Sequence, residues 1–132
     1  MFKTSLQVRN YIRQTPDILL NLYLVNSYRG LSNQDIAAIE SLQNLGRPFQ
    51  ICINKIDKCN AEEIASLLME ISSVTSSLRL CHKAIHLVSA KYGNGVHELN
   101  GHLSLLIMNY KPQLKMVESI KEKKIVTNNN YF

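Results

Sequence analysis

Asn54-Lys55-Ile56-Asp57 and Ser89-Ala90-Lys91 carry the residue types in this chain best suited to reading a purine base. Asp57 presents a carboxylate, whose two oxygens can accept two parallel hydrogen bonds from a ring N–H and a neighbouring exocyclic amine. Guanine offers that pair at N1 and its 2-amino group, and adenine does not. A site built to hydrogen-bond a partner can reject an analogue lacking those groups by as much as ~10⁴-fold, so one aspartate could carry most of the purine choice. Asn54 would brace the turn and reach the ring edge. The stems of Lys55 and Lys91 are long enough to cover the flat faces of a base, and the backbone N–H of Ala90 could donate to the guanine carbonyl oxygen. The motif that cradles phosphates, Gly-x-x-x-x-Gly-Lys-Ser/Thr, does not occur: none of the five glycines, Gly30, Gly46, Gly93, Gly95 and Gly101, is followed by lysine.

Four residues of the Asn-Lys-x-Asp kind arise by chance in ordinary turns, so the weight rests on what surrounds them. A helix-like segment over Ser5 to Arg13 stops before Thr15-Pro16. Ile18 to Val25 is almost continuously apolar, as expected of a strand buried on both faces of a parallel sheet. Ser32 stands three residues before Asp35, a capping box, and Ile36, Ile39, Leu42 and Leu45 form an apolar stripe that ends at Gly46. Pro48 opens a second strand, Phe49 to Ile53, which runs into Asn54. Asn60 and Glu63 make another capping box before the stripe Ile64, Leu67, Leu68, Ile71, and the Ser/Thr-rich stretch Ser72 to Ser77 ends that helix. Ala84 to Val88 reads as a third strand, Ser89 to Gly95 as a loop, and Val96, Leu99, Leu103 and Leu106 as the stripe of a last helix. Strands alternating with amphipathic helices imply right-handed crossovers and an α/β fold with a parallel sheet. Ligands bind such sheets beyond the carboxyl ends of the strands, where both motifs stand.

The 132 residues, 45% of them hydrophobic, suit one globular domain. No apolar run approaches the roughly 18 residues of a membrane span, and no apolar core of a secretory signal opens the chain, so it reads as soluble with no membrane partner. Cys52, Cys59 and Cys81 are odd in number and lack Cys-x-x-Cys spacing, which suggests a reducing compartment, cytoplasmic or organellar. The net charge of +5 is uneven. Residues 1–13 carry Lys3, Arg9 and Arg13 without an acid, and 111–132 carry five lysines against Glu118 and Glu122, leaving 14–110 close to neutral. Such basic ends suit solvated helix termini, contact arms on an RNA surface, or, at the N-terminus, an organellar transit segment. The expected organisation is a helical arm over 1–13, a domain over 14–110, and a basic tail over 111–132 fraying into disorder. His82 and His86 fall in a strand approach, and His97 and His102 lie five apart on a helix, so no metal site is expected.

The chain resembles the translation-factor-like GTPases, with the EngB-type ribosome-assembly proteins looking most similar. The resemblance covers roughly residues 5–108. It rests on Tyr11-Ile12, on Leu22-Tyr23-Leu24-Val25-Asn26-Ser27-Tyr28-Arg29-Gly30-Leu31 with Asp35, on Asn54 to Lys58, and on Ser89-Ala90-Lys91 with Gly93 to Leu99. It implies the second half of a three-layer P-loop-GTPase sheet, with Asn54, Lys55 and Asp57 holding the base and Ser89, Ala90 and Lys91 completing the ring around it. It also implies GTP or GDP as ligand, held by its guanine moiety, and ribosomal RNA or a ribosomal subunit as partner. EngB-type proteins often carry threonine at the Asn54 position, which leaves the Era and Der types open as relatives. The phosphate loop, effector switch and Asp-x-x-Gly magnesium switch are expected upstream of Met1, so this chain alone is expected not to hydrolyse GTP, and Mg2+ is expected only in a full-length protein. Without the phosphate-loop strand beside it, the first strand would expose an apolar edge open to self-association.

Overall fold

The computed structural model describes residues 2–110, with side chains from residue 6 onward. The basic C-terminal segment, 111–132, lies outside the described residues. Two compact units divide the chain, residues 1–96 and 97–132.

In the first unit, α1 (Phe2–Gln14) leads to β1 (Asn21–Asn26), α2 (Asn33–Asn44), β2 (Phe49–Asn54), a single 3-10 turn (Ile56–Lys58), α3 (Ala61–Thr75) and β3 (His86–Leu87). The strands form one parallel sheet in the order β1-β2-β3. Consecutive strands added in one direction through right-handed crossovers place α2 and α3 on the same face. There Val25, Phe49, Ile51 and Ile53 pack with Ile39 and Leu42 of α2 and Leu67 and Ile71 of α3. Ile12 joins this core from α1, and Arg9 of the same helix donates to the Ser41 hydroxyl of α2 at 2.8 Å.

Local chemistry sets the helix ends. Ser32 and Asp35 close a reciprocal capping box at α2, as do Asn60 and Glu63 at α3. Gly46, at φ +71°, follows the last turn of α2 in the left-handed region that glycine enters without a steric cost. Lys83 donates to the carbonyls of Thr75 and Ser76, at 3.4 and 3.0 Å, and so satisfies the exposed C-terminus of α3.

Three sequence expectations need correction. β1 begins at Asn21, not Ile18, because its register pairs Asn21 with Phe49 and β2 supplies no partner before that residue. Nor is β1 buried on both faces: Leu24 is 56% exposed, while β2 is buried from Phe49 to Ile53 on both faces, since it alone is flanked by strands on each side. The third strand is two residues, not five. It first meets β2 at Cys81 opposite Phe49 and returns at His86 opposite Cys52, so three steps along β2 are matched by five along its partner. The extra residues bulge out of the ladder. The fully buried Gln50 fills the gap, its Nε2 donating to the Ala84 carbonyl at 2.9 Å.

In the second unit, the helix begun at residue 96 runs through residue 110 and is named α4. Leu99, Leu103 and Leu106 lie on its half-buried stripe, and Leu105, Ile107 and Met108 are exposed. No helix among the described residues is long and apolar enough to cross a membrane.

Candidate functional site

β1 and β2 end in register, Asn26 opposite Asn54, and β3 ends one residue before Val88. The two motifs therefore leave the sheet at the same rim. The backbone N–H of Val88 donates to the Ile53 carbonyl at 2.8 Å, and that of Ile56 to the Val88 carbonyl at 3.3 Å, which stitches the two exits together. Beyond this seam the Ser89 hydroxyl donates to Asp57 Oδ1 at 2.7 Å. Ser89 is fully buried and Asp57 is exposed, so a buried hydroxyl aims a carboxylate at solvent. A carboxylate has about four acceptor sites, so the Ser89 bond leaves room to accept two parallel donors. The Ser89 bond, ahead of an opposing desolvation, holds the Asp57 carboxyl below its ordinary value, and its own backbone N–H and the charges of Lys91 and Lys58 act in the same direction.

The turn that presents Asp57 is unusual at Lys55. With φ 60° and ψ 36°, Lys55 is the single non-glycine residue at positive φ among the described residues. Asn54 does not extend its side chain away from the turn: its Oδ1 accepts from the Lys55 backbone N–H at 2.8 Å. Asn54 thus braces the loop from within. Lys55, Ala90 and Lys91 have exposed side chains.

On the opposite side the loop is closed by Ser89 and Asn94, whose backbones form an antiparallel bridge with a Ser89 N–H to Asn94 carbonyl bond of 2.9 Å. Gly95, at φ +73°, follows directly. A Cβ there would collide with the Leu87 carbonyl oxygen, so only glycine lets the loop fold back onto the end of β3.

Two aromatic residues outside both motifs flank this rim. Lys58 Nζ lies 5.8 Å from the Tyr28 ring centre, and Lys91 Nζ 5.3 Å from that of Tyr92. Both rings are largely exposed. The Lys91 ammonium therefore lies over Tyr92 in a cation–π contact. A separate groove of about 580 Å³ runs from Ser27–Gly30 along α3 and is lined by Tyr28, Arg29, Lys58, Glu62 and Glu70. It does not contain Asp57 or Ser89.

The EngB GTP-binding protein of Aquifex aeolicus is 32% identical over 100 residues, covering 75% of this chain and 52% of that protein. The EngB protein of Hyphomonas neptunium is 24% identical over 102 residues, 76% of this chain and 46% of its own length. The chain is similar over part of its length to EngB-type GTP-binding proteins. It spans about half the length of these curated relatives. No family profile matches it. Among solved structures, the translation elongation factor SelB of Methanococcus maripaludis in its apo form superposes with a TM-score of 0.68 at 28% identity, over 77% of this chain and 23% of SelB. SelB with the GTP analogue GPPNHP gives 0.66 at 27%, over 80% of this chain and 24% of SelB. The three parallel strands with flanking helices are thus a P-loop-GTPase-like α/β arrangement, whose rim carries Asn54, Lys55 and Asp57 on one exit and Ser89, Ala90 and Lys91 on the other.

Sequence reasoning gave no role to Gln50 or Tyr92, and it named Ser27 and Tyr28 only within the run Leu22 to Leu31. A lone glutamine inside an apolar run has no local pattern to mark it. Tyr92 adjoins Lys91 in the chain, whereas Tyr28 meets Lys58 only once the sheet is folded.

Proposed function

We propose that this chain is the base-reading half of a GTP-binding protein of the ribosome-assembly kind, part of a longer product or a shortened descendant of one. The carrying observation is the 2.7 Å bond from buried Ser89 to exposed Asp57, which unites the two motifs and leaves a carboxylate ready to accept two donors from guanine. Asn54 shapes the turn, the stems of Lys55 and Lys91 cover the base, and the Ala90 N–H meets the guanine carbonyl oxygen. The 132 residues carry no Gly-x-x-x-x-Gly-Lys-Ser/Thr run, so this reading has GTP or GDP gripped by its guanine moiety and does not extend to hydrolysis by the chain alone. Mg2+ enters with phosphate-binding residues and not through this rim.

The basic stretches over 1–13 and 111–132 suit contact with ribosomal RNA, and the three free thiols suit a reducing compartment, cytoplasmic or mitochondrial. A second reading, an interaction module that binds a protein or RNA without nucleotide, is favoured by one observation. Among the described residues β1 pairs on one side only, and Leu24 on it is 56% exposed. The same edge supports self-association.

Calorimetry with GDP and ADP tests the first reading. A guanosine-sized ligand of about 20 heavy atoms at about 0.3 kcal/mol per atom gains at most ~6 kcal/mol, so the expected result is guanine-selective binding no tighter than tens of micromolar. Equal or absent heats for GDP and ADP, on this chain and on a form carrying a phosphate loop, would favour the interaction module.

A further inference from the structure

Ser27 lies at the end of β1, outside both motifs, and is 7% exposed. Its backbone N–H donates to the Asn54 carbonyl at 3.0 Å, continuing the ladder one residue past the last strand pair. Its hydroxyl donates to the Lys55 carbonyl at 2.6 Å. That carbonyl also accepts from the Lys58 N–H at 3.0 Å, and the Lys55 N–H is held by Asn54 Oδ1. Lys55 is the residue at φ 60°. A side chain in the left-handed region persists only where its surroundings hold it there, and of the three groups that do so, Ser27 alone comes from another strand. The direction of the Lys55 carbonyl sets the plane of the peptide leading into Ile56 and Asp57, and with it the aim of the Asp57 carboxylate at Ser89.

We infer that Ser27 is a positioning residue for guanine recognition: its hydroxyl locks Lys55 in the left-handed conformation and thereby aims Asp57. This rests on the base-reading function proposed above. Ser27 touches no base; it acts through the turn. A merely structural serine would, on removal, weaken all purine nucleotides alike. A positioning serine would, on removal, selectively cost the contact that Asp57 makes with the 2-amino group.

The test compares the full chain with Ser27→Ala, Ser27→Thr, Lys55→Gly and the Ser27→Ala/Lys55→Gly pair. Binding of GDP, IDP (which lacks the 2-amino group) and ADP is measured by calorimetry, and the backbone of residue 55 by its NMR Cα shift and HN–Hα coupling. The expected results are a fivefold to tenfold loss of GDP affinity in Ser27→Ala, about one hydrogen bond's worth. The GDP-to-IDP preference should narrow and the residue-55 shift should leave left-handed values, with both restored in Ser27→Thr. Glycine adopts that conformation unaided, so Ser27→Ala should have no further effect in the Lys55→Gly background. An unmoved residue-55 signal in Ser27→Ala, or equal losses of GDP and IDP, overturns the inference while leaving base reading intact. A wild-type chain that does not separate GDP from ADP overturns base reading itself. In that case a residue-55 signal unmoved by Ser27→Ala removes the locking role as well.

Discussion

At the scale of single residues, the carboxylate of Asp57 should choose the base by its pattern of acceptors. Asp57→Asn replaces one acceptor by a donor. It no longer matches the N1 hydrogen and 2-amino pair of guanine but suits a purine with a 2-oxo group. Calorimetry should show GDP binding reduced at least about tenfold, by roughly the 1.4 kcal/mol or more of a charge-assisted bond, with xanthosine diphosphate gaining relative to GDP. Asp35 offers a test of stability against pH. Burial pushes its carboxyl up, but bonds from the Ser32 N–H at 2.9 Å, the Tyr23 hydroxyl at 2.7 Å and the Ser32 hydroxyl at 2.8 Å outweigh it and hold the group below the ordinary 3.8. A carboxyl whose folded pKa is depressed stabilises fully above its unfolded value and loses that stabilisation as pH falls through the folded one. Thermal melts should therefore decline as pH drops below about 4, and Asp35→Asn should be less stable than the wild type at neutral pH and flatter across that window.

At the scale of elements, the loop over 89–95 depends on Gly95. Gly95→Ala places a side chain in the left-handed region, costing about 1–2 kcal/mol, and drives its Cβ into the Leu87 carbonyl. The loop must lift, the Ser89–Asn94 bridge should open, and amide hydrogen exchange at Ser89 should rise markedly while that of β2 stays slow. What was legible in the sequence was chemistry that acts over three or four residues. Ser32 with Asp35, Asn60 with Glu63, and Gly46 mark their helix ends because each cap is closed by near neighbours. The two motifs were legible because each directly follows an apolar run. The start of β1 was not, because the residues at 18–20 differ from those at 22–25 only in what β2 places opposite them. The bulge before β3 was hidden for the same reason: it exists in the pairing of Cys81 with Phe49 and His86 with Cys52, and it is closed by the side chain of Gln50, more than thirty residues from its partner Ala84. The contact of Ser27 was hidden because it is carried by one hydroxyl reaching across 28 positions of chain.

For the molecule as a whole, the outer side of β1 governs behaviour at high concentration. Backbone groups of a strand paired on one side are a template for another chain, and an exposed leucine on that strand adds an apolar contact. Sedimentation velocity on the wild-type chain should show concentration-dependent association, and Leu24→Lys should shift it toward monomer, because a charge on an edge strand discourages a second chain. No change between the two would place any association elsewhere. Alkylation should respect the same architecture: Cys59 should react ahead of Cys52 and Cys81, which are buried and whose thiols burial pushes up.

The two halves of the rim hang from very different supports. Asn54 to Asp57 grow out of a six-residue central strand buried on both faces, whereas Ser89 to Lys91 grow out of two paired residues and a bulge. The second jaw therefore leans on the first: its bonds to Ile53 and Ile56 and the Ser89–Asn94 bridge stand in for the ladder that its own strand lacks. Damage to β2 should loosen both jaws, whereas damage to the 89–95 loop should leave the first one standing.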